Sequence, residues 1–127
     1  MENIKAQKLL NKIQRDLMRN GIITNTLTED LKDLRVLVVE EGNPLLAKVI
    51  RLTFEHIESY NDFNIAIPDE EPIEDEEEGE IAVENEDIRG QESLDYLLSL
   101  MADPKNKVNE IELRDYVAAF NTYAAEN

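Results

Sequence analysis

A run of acidic residues from Asp69 to Asp87 divides this 127-residue chain into two parts. Twelve of the 19 residues in the run are Asp or Glu, and no Lys or Arg occurs between Arg51 and Arg89. A segment with so many charges and so few apolar residues cannot bury enough surface to join a hydrophobic core. Any core must therefore be built from the residues before and after the run.

The rest of the chain has the composition of a globular domain, and its length suits one domain or one domain with a small appendage. The absence of cysteine excludes disulfides, thiolate catalysis and Cys-ligated zinc, and the single histidine argues against most transition-metal sites. No stretch approaches the roughly 18 apolar residues of a membrane span. We expect a protein without membrane contact, in the cytoplasm or within an assembled particle.

Three helices are predicted before the run. Apolar residues recur at helical spacing in residues 2–20, 28–41 and 44–60. Thr26 or Thr28 is expected to cap the second helix, and Gly42-Asn43-Pro44 has the residues that end one helix and begin the next. Because this joint is short, the second and third helices should be antiparallel neighbours.

Two helices are predicted after the run, in residues 91–102 and 109–124, with Asn109 as the cap of the last one. Residues 63–67 alternate between polar and apolar and suggest a short extended segment. The prediction is an all-α fold: a three-helix bundle (1–61), an acidic connector with a short extended segment (62–90), and a helical hairpin (91–127) that packs on the bundle or on a partner.

Residues 34–50, LRVLVVEEGNPLLAKVI, resemble the first strand, acidic pair and first helix of a response-regulator receiver domain. That resemblance implies a magnesium site and a phosphorylated aspartate. The downstream chain has no apolar strand ending in an aspartate, and Asp103-Pro104-Lys105 stands where a Lys-Pro step would be expected. We therefore reject the resemblance.

No catalytic or cofactor site is predicted. The only imidazole, His56, falls among apolar positions of its helix and is expected at the edge of the core, where it would not serve as a base. Glu74, Glu76, Glu78 and Gly79 imitate part of an EF-hand loop, but Asn85 stands where a bidentate Glu is needed. We expect no enzyme activity, no cofactor and no specific metal site.

The candidate site residues are all interaction residues. Five cations of the first helix form one stripe, the basic stripe: Lys5, Lys8, Lys12, Arg15 and Arg19. The acids that begin the run are Asp69, Glu70, Glu71, Glu74, Asp75, Glu76, Glu77 and Glu78. The aromatic candidates are Phe54, Tyr116, Phe120 and Tyr123. We also expect that the run can fold back on the basic stripe through exposed, individually weak ion pairs.

These features favour a non-enzymatic subunit or adaptor of a larger assembly, whose acidic tether contacts a basic protein surface or neighbouring subunits. Twelve Asn and twelve Ile hint at an AT-rich genome, bacterial or phage, so a virion component is conceivable. The alternative is an acidic mimic of nucleic acid that inhibits a DNA- or RNA-binding protein. Direct nucleic-acid binding is not expected, because a net charge of −16 repels phosphate.

Overall fold

The computed structural model describes residues 1–68 and 88–126, which contain no β-strand. The helices in these ranges are α1 (Ile4–Asn20), α2 (Thr24–Glu41), α3 (Pro44–Tyr60), α4 (Gln91–Ala102) and α5 (Lys107–Glu126). The predicted all-α fold is therefore confirmed. Residues 34–41 belong to α2 and not to a strand, which removes the basis of the receiver-domain resemblance.

The joint between α2 and α3 forms as predicted. Gly42 adopts the left-handed conformation with φ 78°, which a residue without Cβ reaches at little cost. The side chain of Asn43 accepts a hydrogen bond from the amide of Leu46, and Pro44 is the first residue of α3. α2 and α3 then pack against each other in the most extensive helix–helix contact of the described residues.

Two predicted helix starts were wrong. α2 begins at Thr24, four residues before the predicted start, and Thr28 lies inside the helix, where its hydroxyl donates to the Thr24 carbonyl at 2.8 Å. α5 begins at Lys107, because the side chain of Asn106 accepts from the amide of Asn109 at 3.2 Å and so occupies the capping role. Thr and Asn bond to backbone locally in several ways, so sequence alone does not select the capping residue.

The C-terminal helices pack on the N-terminal ones. α4 contacts α1 as well as α5, and α5 contacts α3. Buried side chains from all five helices form one hydrophobic cluster, which includes Leu10, Leu31, Ile57, Leu97 and Tyr116. Each buried aliphatic or aromatic side chain contributes about 1.5–3 kcal/mol relative to an exposed one, so the hairpin and the bundle stabilise each other.

The segment before the run also enters this cluster. Phe63 is completely buried and Ile65 is 2% exposed, while Asn64 and Ala66 between them are only partly buried. This alternation is the one that the sequence predicted for an extended segment. Residues 63–67 are thereby fixed to the helices, although they have no regular secondary structure of their own.

Candidate interaction site

The two segments that flank the acidic run lie side by side. The amide of Ile67 donates to the carbonyl of Ile88 at 2.9 Å, and the amide of Gly90 donates to the carbonyl of Phe63 at 2.9 Å. Arg89 donates from its guanidinium to the carbonyl of Asn64 at 2.9 Å. We call residues 63–67 and 88–90 the loop base. The described segments before and after residues 69–87 therefore meet at the loop base.

The loop base is anchored to two helices by hydrogen bonds of Asn64. The amide of Asn64 donates to Nε2 of His56 on α3 at 3.0 Å, and its side-chain amide donates to the hydroxyl of Tyr123 on α5 at 3.1 Å. Gln91, which follows the loop base and begins α4, donates from Nε2 to the carbonyl of Leu17, in the last turn of α1, at 3.0 Å. These contacts hold the loop base against α3 and α5 and the start of α4 against α1.

His56 is a core histidine, as the sequence predicted. Its ring lies 4.8–5.8 Å from four aromatic rings, those of Tyr60, Phe63, Phe120 and Tyr123. Burial lowers the pKa of His56, and the nearby charge of Asp62 offsets part of that effect. Since Nε2 accepts a hydrogen bond from a backbone amide, the neutral imidazole serves as a structural acceptor.

The aromatic candidates lie mostly inside the chain. Tyr116 is completely buried, its hydroxyl pairs with the hydroxyl and carbonyl of Ser93, and burial raises its pKa. Phe120 is 5% exposed, and half-buried Tyr123 bonds to the loop base. Tyr116 and Phe120 thus belong to the protein's own core and are not exposed to a partner, because α5 turns this face towards α3 and α4.

Phe54 is half-buried, and α2 covers part of it. Nζ of Lys32 lies 5.4 Å from the centre of the Phe54 ring, within the range of a cation–π contact. The same ammonium group forms an ion pair with Glu58 at 2.6 Å. Among the described residues, a charged side chain from the neighbouring helix α2 contributes to this cover.

The basic stripe is exposed except at its centre. Lys12 forms ion pairs with Asp30 of α2 at 2.7 Å and Asp16 at 2.9 Å, and both raise its pKa. The other four cations are exposed and have no ion pair among the residues that the structure describes: Lys5, Lys8, Arg15 and Arg19. The stripe therefore consists of two separate cation pairs, one near each end of α1.

The acidic candidates, Asp69 to Glu78, and the EF-hand-like positions lie outside the described residues. Within residues 1–68 and 88–126, no cluster of three metal-ligating side chains is positioned to hold a metal ion. No helix in those two ranges is long and apolar enough to cross a membrane.

Sequence reasoning missed the loop base. The alternation of Phe63 and Ile65 was the only signal for it, and nothing in residues 88–90 predicts pairing with them. Comparison with known proteins adds no further guide, because no family model, curated protein or solved structure matches this chain.

Proposed function

We propose that this protein is a non-enzymatic interaction subunit whose helical body presents residues 69–87 as an acidic loop to a basic protein surface. The observation that carries the proposal is the pair of hydrogen bonds that join Ile67 to Ile88 and Phe63 to Gly90. Because the flanking segments are bonded to each other, the run is attached to the body at a single place.

The charge distribution supports this role. The run contributes 12 of the 29 acids and no cation, so the remainder of the chain carries a net charge of only −4. Concentrated charge of one sign steers encounter with a surface of the opposite sign and raises the association rate. Subunits of a larger assembly, or an adaptor between them, would use such a loop to contact a basic neighbour.

The experiment compares three forms of the full chain as bait in extracts of the source cells. The first is the natural sequence, the second has all 12 acids of residues 69–87 replaced by Asn or Gln, and the third has four acids elsewhere replaced: Glu29, Asp33, Glu40 and Asp115. A basic protein that is retained by the first and third forms and lost with the second supports the proposal. Equal retention by all three forms contradicts it.

Competition then separates the assembly role from nucleic-acid mimicry. A complex that persists when DNA or RNA is added in excess is the result expected for an assembly subunit. If the polyanion displaces the partner and that partner binds nucleic acid by itself, the protein is instead a mimic. Circular dichroism checks that each variant keeps the helical content of the natural chain. Loss of binding supports the proposal only for a variant that passes this check.

A further inference from the structure

A pocket lies between the last turns of α3 and α5, and we call it the aromatic pocket. Four rings line it together with two polar residues: His56, Tyr60, Phe120 and Tyr123, with Glu55 and Ser59. Its volume is about 180 Å³, whereas one water molecule needs roughly 10–15 Å³. The pocket can therefore hold the end of a side chain from another molecule.

The rings of the aromatic pocket stand at steep angles to one another. The centroids of Tyr60 and Tyr123 are 5.2 Å apart with the planes at 86°, and those of His56 and Tyr123 are 5.1 Å apart at 65°. In such an edge-to-face pair, one ring contacts the other with its edge only and keeps its own faces free of that partner. Tyr60 is 39% exposed, so its ring is within reach of a ligand. The negative face of an aromatic ring attracts a cation.

The electrostatic surroundings of the aromatic pocket also favour a cation. The carboxyl end of a helix carries partial negative charge, yet the last turns of both α3 and α5 contain no basic residue. No Lys or Arg is among the described lining residues, and Glu55 adds a carboxylate. Glu55 pairs with Arg51 at 3.3 Å, but this contact is exposed and contributes little. Nε2 of His56 accepts a hydrogen bond, so the imidazole adds no positive charge.

The aromatic pocket shares two side chains with the loop base. His56 and Tyr123 line the pocket, and both accept hydrogen bonds from Asn64, at 3.0 and 3.1 Å. Arg89, the cation of the loop base, lines a neighbouring hollow that has only Tyr123 in common with the pocket. Asp69, the first acid of the run, follows Asn64 by five residues in the sequence. A basic partner that the run attracts is therefore brought close to the pocket.

We propose that the aromatic pocket binds an arginine or lysine side chain of the basic partner. The methylene stem would contact the rings, and the charged end would face Glu55 and the two helix ends. The proposal rests on the proposed function, because it names the chemical group of the partner that is bound beside the acidic run. A neutral apolar ligand would fill the same space but would leave the carboxylate and the helix ends without a cation.

The test is an NMR titration of the full chain with two blocked tripeptides, Gly-Arg-Gly and Gly-citrulline-Gly, in about 0.15 M salt. Citrulline has the shape of arginine without its charge. Because the acidic run also attracts cations, the titration is repeated on a full chain whose 12 run acids are replaced by Asn or Gln. In both chains, the arginine peptide should shift the amide signals of Ser59, Tyr60 and Tyr123. It should bind there at least about fivefold more tightly than the citrulline peptide.

Matched variants identify the groups that hold the cation. Tyr60→Leu removes a ring and should weaken binding of the arginine peptide by about threefold or more, whereas Tyr60→Phe keeps the ring and should bind as the natural chain does. Glu55→Gln should weaken binding by about twofold or more. Glu58→Gln removes a neighbouring acid of α3 that pairs with Lys32, outside the pocket, and should leave binding unchanged. Circular dichroism checks that each variant folds.

Equal binding of the two peptides, or signal shifts confined to residues outside the aromatic pocket, overturns the inference. Undiminished binding by a folded Tyr60→Leu variant does so too. The comparison of the two peptides needs no variant, so it decides the inference even if Tyr60→Leu does not fold.

The bait experiment separates this inference from the proposed function. Tyr60→Leu should retain less of the basic protein than Tyr60→Phe does. Equal retention by these two variants, together with loss of the protein when the run is neutralised, refutes the role of the pocket and leaves the proposed function intact. Binding of the arginine peptide in the pocket, together with retention that does not depend on the run, refutes the proposed function instead.

Discussion

Replacing Phe63 by Ala tests whether the loop base belongs to the folded core. Phe63 precedes the acidic run by six residues, in a part of the chain that has no regular secondary structure. Its ring is completely buried, with centroids 5.6 Å from His56 and 5.9 Å from Phe120. If residues 63–67 only connected two modules, the loss of this ring would matter little.

The expected cost is large because the site is closed on all sides. Truncation of a buried Phe to Ala removes its transfer free energy and leaves a cavity, which together cost about 3–5 kcal/mol. Domains of this size have an unfolding free energy of about 5–15 kcal/mol. Phe63→Ala should therefore remove a large part of the total, and it should lower the melting temperature by more than about 10 °C.

The assay is urea unfolding followed by circular dichroism, with Ile88→Ala as the matched control. Ile88 also belongs to the loop base, but it is 46% exposed, so its truncation should change the unfolding free energy by only about 0.5 kcal/mol. A cost below about 1 kcal/mol for Phe63→Ala, with an unchanged urea dependence, would show that this segment is not part of the cooperative core. The loop base would then not be a fixed attachment point for the acidic run.

Three further outcomes follow from described contacts. Burial lowers the pKa of His56 in the folded state, so the unfolded chain binds more protons near pH 6.5. The unfolding free energy should therefore fall as the pH is lowered from about 7.5 to 5.5. His56→Gln should flatten this dependence, and an equal slope in the natural chain and the variant would contradict the expectation. Asn106→Ala should destabilise the protein by about 1 kcal/mol in urea unfolding, because the Asn106 side chain accepts from two amides in the first turn of α5. Asn109→Ala should cost less, since its side chain makes a single bond, to the carbonyl of Asp103. The reverse order would support Asn109 as the cap. Tyr116→Phe should lower the unfolding free energy by about 1–3 kcal/mol in the same assay, because it leaves the buried hydroxyl of Ser93 without its partner. An unchanged unfolding free energy would contradict that pairing.

The sequence predicted the helices well because helical periodicity is local. The spacing of Leu10, Ile13 and Leu17 defines the buried face of α1 without reference to any other segment, and structure confirms that face. Gly42-Asn43-Pro44 ends one helix and begins the next through its own conformational preferences. Helix starts that depend on Thr or Asn side chains were predicted less well, because several nearby residues compete for the same amides.

Helical periodicity predicted only part of the candidate site. The exposed cations at the ends of α1 were predicted from their spacing. The ion pair between Lys12 and Asp30, however, depends on how α2 packs against α1. The buried position of Tyr116 depends on α4 in the same way, through Ser93. A helical pattern gives the face on which a residue lies, but it does not give the element that covers that face.

By itself, the sequence determined the all-α class and most helix boundaries, since these follow from local periodicity. It also predicts that the acidic run stays outside any core, because burying so many charges is costly. Only the tertiary structure decided that the amide of Ile67 bonds to the carbonyl of Ile88, which forms the loop base, and that the guanidinium of Arg35 in α2 bonds to the carbonyl of Ala47 in α3. These contacts join different elements of the fold. They form because the helices pack to bury one shared cluster, and no local pattern in the sequence specifies which residues that packing brings together.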